Sequence, residues 1–383
     1  MSVKLYEENA YIKSFNATVT ECIPYKEKFL VALNKTAFFP EGGGQSADTG
    51  FLDNATVTDV QEKNGTIYHE TGTPLNVGKE VSGKIDWAQR FYRMQNHTGE
   101  HLTSGIIHTL FGYDNVGFHM GHNSITLDTS GVLTKEDIEN IEEKVNAAIY
   151  ENVNVKAYFP SESELKNISY RSKLDNFEKT RIVEIEGYDI CACCAPHVSK
   201  TGEIGIMKIL DFYPNKGGTR IELLCGHSAL EDYRKKTSAN AEIMGLLSAP
   251  NGQTTDFVKH TLEALSNAKF EIKALKEELA LAKLETQKAG IVTVGHIKNA
   301  NFDDLKVCMN FLTSSNDGIC AVISQTEKNC LFIVSSQTKD ISNFMKYLRD
   351  NLNACGGGKN NYSQGKISAD YENIIQVIKE YRE

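Results

Sequence analysis

The chain has 383 residues, a formal net charge of −9 and nine cysteines. That length suffices for two or three domains, and no apolar run approaches the roughly 20 residues of a membrane-spanning helix. The acidic balance argues against indiscriminate nucleic-acid binding, although a local basic patch can still attract phosphate; Lys179, Arg181, Lys208, Lys216 and Arg220 are candidates for one. Scattered cysteines in odd number point to metal ligation or free thiols rather than a disulfide framework. The N-terminus, Met-Ser-Val-Lys-Leu-Tyr-Glu-Glu-Asn, has no signal-peptide core, so a cytoplasmic location is expected.

Residues 1–85 read as β-rich. The runs Ala17-Thr18-Val19-Thr20 and Phe29-Leu30-Val31-Ala32-Leu33 are separated by polar turns. Asn64-Gly65 before Thr66-Ile67-Tyr68 is a hairpin signal, because such a turn needs positive φ at both positions. Several short strands in one segment predict a small barrel or meander. Residues 86–235 mix helix and strand. One helix carries His97 and His101, a second spans 135–152 behind Thr134 and Asp137, and strands are expected at 181–185 and 204–210. Residues 236–290 turn helical. Leu265, Ala268, Ile272, Leu275, Leu279 and Ala282 recur at alternating spacings of three and four, a heptad seam suited to an antiparallel hairpin or a dimer zipper. Gly290 is a natural stop. Residues 291–383 read as a compact α/β unit with buried strands at 291–294, 318–323 and 330–334 and helices at 341–352 and 371–381. The fold class expected is therefore α+β and multidomain: a small N-terminal β-barrel, an α+β domain, a helical connector and a C-terminal α/β domain.

Two residue pairs carry the chemistry. His97 and His101 are spaced four apart, which places both imidazoles on one face of a helix. Cys193 and His197 have the same spacing, but Pro196 argues against a helix interior and for a tight loop. Three nitrogens and a thiolate form a plausible tetrahedral zinc set, provided the fold unites pairs so far apart in the chain. Gly42-Gly43-Gly44 allows close backbone approach to a carbonyl or phosphate, and Gln45 follows with an amide that both donates and accepts. A second glycine run, Gly356-Gly357-Gly358 with Lys359, reads as a loop suited to phosphate or ribose contact. Taken singly, the glycine runs also read as plain turns. The cluster Cys191, Cys193 and Cys194 also permits a redox sensor, and Glu100 reads as a solvated helix carboxylate, with a general base as the alternative.

These residues, in this order, resemble the free-standing alanyl-tRNA editing proteins, the AlaX family in its long form, and the match runs over nearly the whole chain. Phe38-Phe39-Pro40-Glu41-Gly42-Gly43-Gly44-Gln45 with Asp48 and Gly50 looks like the family's glycine-rich motif. Arg90, Arg93 and His97-Thr98-Gly99-Glu100-His101 look like its first zinc motif. Cys193 to His197, followed by Thr201-Gly202-Glu203-Ile204-Gly205, Lys208 and Gly218-Thr219-Arg220, looks like its second. The end of the chain resembles the small C-terminal domain of alanyl-tRNA synthetases, and the helical seam their connecting helices. One departure is plain: the family's common Cys-Gly-Gly-Thr-His is here Cys193-Cys194-Ala195-Pro196-His197. Both outer ligands are kept. The threonine, a substrate contact in the family reading, is replaced by Pro196, which bears on amino-acid selectivity rather than on zinc.

The resemblance implies a β-barrel domain at 1–85 with the glycine-rich motif, a zinc-binding editing domain at 86–235, a helical connector at 236–290 and a tRNA-binding domain at 291–383. It implies a trans-acting, ATP-independent hydrolase that deacylates Ser-tRNA(Ala), Gly-tRNA(Ala) or both. The chain starts directly at the barrel, so correction without charging is expected. Zinc would be held by His97, His101, Cys193 and His197. Gln45, Gly43 and Gly44 would act at the scissile carbonyl, and Gly42, Arg93, Lys208, Arg220, Gly357, Gly358 and Lys359 would contact substrate or tRNA. A homodimer through residues 260–285 or the C-terminal domain is a further expectation. Two alternatives stay open: a zinc-containing tRNA-binding protein without turnover, and a metal hydrolase of small esters.

Overall fold

The computed structural model describes residues 2–121, 124–172, 180–326 and 329–382. They fall into two compact units, Met1–Ala241 and Glu242–Glu383. Among the described residues no helix is long and apolar enough to cross a membrane.

The first unit opens with strands β1 (Ser14–Tyr25), β2 (Lys28–Leu33), β3 (Gly50–Leu52), β4 (Ala55–Lys63), β5 (Thr66–Thr71) and β6 (Glu80–Ile85), closed into a barrel in the order β1-β2-β5-β4-β3-β6. The β4–β5 hairpin turns at Asn64 and Gly65, with φ of 52° and 73°, as a two-residue turn with both central residues left-handed requires. Alternate residues fill the interior, with Val31, Leu33, Leu52, Val57, Val60, Ile67 and Val81 buried around Phe38 and Phe39.

Helix α1 (Trp87–Phe111) leaves the barrel behind Asp86, whose side chain accepts from Gln89 N at 3.2 Å, and ends at Gly112 with φ 69°. Then come β7 (Asn115–Met120), β8 (Ile125–Thr129), α2 (Lys135–Glu151), β9 (Val155–Tyr158), β10 (Ile182–Ile185), β11 (Asp189–Ala192), β12 (Met207–Asn215) and β13 (Gly218–Cys225). Strands β12-β13-β8-β7 form one antiparallel sheet and β9-β10-β11 another. Thr134 and Asp137 close a reciprocal capping box on α2, which satisfies two otherwise orphaned amides. The core between helices and sheets joins Met94, Leu102, Ile106 and Ile107 to Ile125, Leu127, Ile141, Val145, Ile221 and Leu223. The strand expected at 204–210 begins only at Met207, because residues 201–204 form a 3₁₀ turn that ends at Gly205 with φ 85°.

Helix α1 is buried on nearly every side from Arg93 to Ile107. Two glycines make this possible. A Cβ at Gly99 would collide with Cys225 Sγ on β13, and one at Gly105 would lie 2.7 Å from both Asp189 Cβ and Tyr188 O beside β11. The histidine-bearing helix is thereby wedged between the two sheets.

Helix α3 (His227–Leu247) runs across the boundary between the units. The second unit holds α4 (Thr254–Ala282), β14 (Glu285–Ala289), β15 (Val292–His296), α5 (Phe302–Ser314), β16 (Ile319–Gln325), β17 (Cys330–Ser335), α6 (Ser342–Leu352), β18 (Cys355–Lys359), β19 (Tyr362–Ile367) and α7 (Tyr371–Glu380). Its sheet has the order β14-β15-β16-β17-β19-β18.

Three expectations for this unit are corrected. The helical region is broken between α3 and α4, where Ser248 and Gly252 have φ of 51° and 78°. It stops at Ala282 rather than at Gly290, since residues 285–289 pair antiparallel with β15 and Gly290, φ 62°, turns that hairpin. The glycine run at 356–358 is strand rather than loop: a Cβ at Gly356 or Gly358 would collide with the carbonyls of Gln364 or Tyr362 on β19. Helix α5 was not expected at all, although Asn301 and Asp304 form a full capping box in front of it.

Candidate metal centre and the glycine turn

The fold brings the two distant pairs together. His97 and His101 project from adjacent turns of α1, and Cys193 and His197 lie on the loop after β11. One ligand atom from each of the four lies within 4.8 Å of the others. Cys193 Sγ is 3.6 Å from His97 Nε2 and 3.4 Å from His197 Nε2. The three imidazole centroids are 4.8 to 5.2 Å apart. Pro196 is buried, and the loop is stapled by Arg181, whose Nη1 donates to Cys193 O at 3.1 Å and Ala195 O at 2.8 Å while its own carbonyl accepts from Cys193 N.

Outer partners orient each ring. Thr98 Oγ1 donates its one proton to Met94 O at 2.8 Å, so at 3.1 Å from His197 Nδ1 it must accept from that ring; it also accepts from Val198 N. His197 therefore carries its proton on Nδ1 and presents the Nε2 lone pair to the cluster. His97 Nδ1 is 2.9 Å from Gln45 Oε1, which again leaves Nε2 for the cluster. His101 Nδ1 faces Asp189 Oδ2 at 3.4 Å. Fixing the tautomer through the far nitrogen is how proteins orient a metal-binding histidine.

Burial and neighbouring charge act differently on His197, Cys193 and His101. Burial pushes His197 down to about 3, against the pull of Cys193, so the ring is neutral at physiological pH. Burial opposes ionisation of Cys193, but the facing His97 and His197 outweigh it and hold the thiol well below the ordinary thiol range. Burial likewise opposes charge on His101, yet Asp189, Cys191 and Cys193 raise it well above the ordinary imidazole value. A thiolate with imidazole nitrogens is a donor set that favours zinc among common biological metals.

The glycine turn lies against this cluster. Gly42 and Gln45 exchange two backbone hydrogen bonds of 3.0 Å across Gly43 and Gly44, whose φ values are 60° and 80°. A Cβ at Gly44 would lie 2.6 Å from the Phe118 ring, and Phe118 itself packs 5.0 Å from His97. The Cys194 thiol sits over Gly43. Gln45 is 1% exposed, and among the described residues its Nε2 has no hydrogen-bond partner.

Other predicted residues are placed as follows. Arg90 and Arg93 are buried on α1 and hold the segment that follows the glycine turn. Arg90 pairs with Asp48 and donates to Ala10 O and Ala37 O; Arg93 donates to Ala47 O at 2.5 Å. Glu100 is 3% exposed and accepts from Asn115 Nδ2, so the solvated-carboxylate expectation is corrected: α1 is enclosed by β7 on that side. Lys208 Nζ is exposed and pairs with Glu142 at 2.6 Å, while Arg220 makes a two-pronged pair with Asp128 at 2.6 and 2.7 Å. Lys216 is exposed at the β12–β13 turn, Arg181 is buried, and Lys179 lies outside the described residues. Gly357, Gly358 and Lys359 lie on β18, an edge strand of the second unit's sheet. Sequence reasoning missed Thr98 and Asp189 as neighbours of the histidines, and Arg171 as the partner of Asp189. Thr98 stood inside the His97–His101 motif; nothing in the local pattern marked the other two.

Residues 180–222 match the family described as the threonyl and alanyl tRNA synthetase second additional domain, and residues 4–89 match class II (A) tRNA synthetases. An alanyl-tRNA editing protein, AlaX-L, of Pyrococcus horikoshii is 28% identical over 99% of this chain and 98% of its own length. The chain is similar to the alanyl-tRNA editing proteins over nearly its whole length. An editing protein of Rattus norvegicus is 26% identical over 95% of the chain and 94% of its length. The alanine–tRNA ligase of Ignicoccus hospitalis is 29% identical over 98% of the chain, which spans only 42% of that enzyme. In this chain the segment at 180–222 contains Cys193 and His197, and the one at 4–89 contains Gln45. His97 and His101 lie in neither.

Proposed function

We propose that the protein is a trans-acting hydrolase that deacylates tRNA(Ala) mischarged with serine or glycine, with zinc at His97, His101, Cys193 and His197. Water adds to the carbonyl carbon of the aminoacyl ester. The bond from that carbon to the terminal ribose oxygen then breaks, and a proton passes to the departing oxygen. The observation that carries this reading is Gln45: a buried amide beside the cluster, its oxygen held by His97 and its two Nε2 protons without an acceptor among the described residues. A buried donor left unpaired costs about 1–3 kcal/mol, a cost that a substrate carbonyl would remove. As charge develops on that carbonyl oxygen, the same donors stabilise it.

His97, His101, Cys193 and His197 would hold zinc between α1 and the 193–197 loop, and the ion would supply Lewis-acid polarisation of the ester. The chain's own groups do the rest. Gly43 and Gly44 bring the backbone close to the scissile carbonyl, with Gly42 closing the turn. Pro196 offers no hydroxyl to the substrate side chain, so selection between serine and glycine rests on shape around Cys194 and Phe118. A charging pocket built for alanine rejects smaller or isosteric amino acids only weakly, which is why a hydrolytic second sieve is needed.

In this reading Lys208, Arg220, Gly357, Gly358 and Lys359 contact the tRNA, while Arg93 holds the turn that receives the ester. The division into a barrel (1–85), an editing domain (86–235), a connector (236–290) and a tRNA-binding domain (291–383) belongs to the same proposal. Lys359→Glu should weaken tRNA binding and flatten its salt dependence; an unchanged salt slope would remove that strand from the tRNA interface. The deciding experiment is deacylation of Ser-tRNA(Ala), Gly-tRNA(Ala) and Ala-tRNA(Ala), with and without a zinc chelator. Chelator-sensitive loss of serine or glycine with alanine spared is expected, and His97→Ala should abolish it. Full activity of a metal-free His97→Ala protein would sink the zinc mechanism.

A further inference from the structure

We infer that Asp189, fixed by Arg171, is a positioning residue that makes His101 the anchoring ligand of the metal centre. The inference rests on the metal-centre reading above. The three imidazoles differ in what holds their far nitrogen. His97 faces a neutral amide oxygen of Gln45 and His197 a neutral hydroxyl of Thr98, but His101 faces a carboxylate, Asp189 Oδ2, at 3.4 Å. At that separation, with no aligned hydrogen bond to His101 Nδ1 among the described residues, the carboxylate acts on the ring through its charge, which raises the imidazole's basicity as a ligand.

The carboxylate is itself built in. Arg171 grips it side-on, Nε to Oδ1 at 2.8 Å and Nη2 to Oδ2 at 2.9 Å, and Nη2 also donates to Ser104 Oγ at 2.9 Å, one turn along α1 from His101. Gly105 lets the helix descend onto the start of β11, where any side chain would strike Asp189 Cβ. Asp189 is buried, 7% exposed, and both of its oxygens are held by Arg171.

His101, Asp189 and Cys191 also lie within 4.8 Å of one another, which on donor type alone resembles a second metal site. The bidentate Arg171 pair argues against it. A cation there would have to share Asp189 with a guanidinium bound to both of its oxygens, whereas an outer role for Asp189 keeps both contacts.

The test uses the full-length protein and cobalt(II) as the metal probe, with affinity measured by chelator competition and geometry by the visible ligand-field spectrum. Asp189→Asn keeps an oxygen near His101 but loses the charge. It should bind cobalt(II) roughly ten- to hundredfold more weakly, with a shifted spectrum, while the metal-free protein unfolds at the wild-type temperature. Arg171→Lys, at a partly exposed position, should show a smaller shift in the same direction, and it decides the matter if Asp189→Asn does not fold. Wild-type affinity and spectrum in the folded variants would overturn the positioning role alone. A wild-type protein that binds no cobalt(II) would overturn the metal centre, and this inference with it.

Discussion

Gln45→Glu separates the two halves of the Gln45 amide. The carboxylate can still accept from His97 Nδ1, the 2.9 Å contact that orients the ring, but it has no Nε2 donors for the substrate. Metal content should therefore stay at the wild-type level while turnover collapses. Loss of one preorganised donor to a developing oxyanion typically costs about 2.7–4 kcal/mol, or roughly a hundred- to a thousandfold in kcat. Gln45→Leu removes both functions. It should lose the same factor in kcat and also leave a buried imidazole N–H unpaired, at about 1–3 kcal/mol, which appears as weaker metal binding. Single-turnover deacylation of Ser-tRNA(Ala) at saturating enzyme reads the chemical step, and metal analysis of the same samples reads the ligand geometry. A Gln45→Glu enzyme with full metal content and kcat within threefold of wild type would refute the donor role.

Three other perturbations have outcomes set by the structure. Gly99→Ala would push a methyl group into Cys225 Sγ and should destabilise the first unit by about 1–3 kcal/mol; combined with Cys225→Ala the loss should be smaller than the sum, and strict additivity in urea unfolding would show that the packing is not the cause. Arg220 donates to Asp128 and, against the opposing effect of burial, holds its carboxyl below the ordinary value. A depressed folded-state pKa gives stability that is present above the unfolded value of about 3.9 and lost as pH falls through the folded one. Asp128→Asn should thus lower the urea midpoint at pH 7, with the deficit shrinking as pH falls below about 3.9, and a deficit that stays constant as the pH falls would contradict the ion pair. On α4 the seam residues Leu265, Ile272, Leu275 and Leu279 are all about half exposed. In a parallel two-stranded coiled coil their register would set Glu271 against Lys276 and Glu278 against Lys283 of the second copy, the g-to-e arrangement that selects orientation. Ile272→Glu should convert a dimer to a monomer in light scattering, and a wild-type protein already monomeric at high concentration would end the zipper reading.

What was legible along the chain was local. Asn64-Gly65 announced its hairpin because only a few residues tolerate two successive left-handed positions, and Thr134 with Asp137 announced α2 because a reciprocal cap needs just those side chains three apart. The four candidate ligands were readable as two pairs, since each pair's spacing is set by one turn of helix or one short loop. The mixed, multidomain character followed from hydrophobic periodicity changing along the chain. Reading failed where a residue's meaning lay in its neighbour across space. Gly356 and Gly358 looked like loop formers until β19 showed that they were there for close strand approach, and Gly290 looked like a helix stop although it turns a hairpin. Glu100 looked solvated because a charged residue on a helix usually is.

By itself, then, the sequence determined the ligand types, the glycine turn beside Gln45 and the succession of elements, because these depend on chemistry within a few residues. Only the tertiary structure decided that the two ligand pairs share one centre, that Gln45 faces it with free donors, and that Thr98 and Asp189 stand behind the imidazoles. Those facts depend on contacts between segments some hundred residues apart, such as Thr98 with His197. Such contacts are set by helix α1 burying every face between two sheets and the barrel's glycine turn, and no local spacing encodes that enclosure.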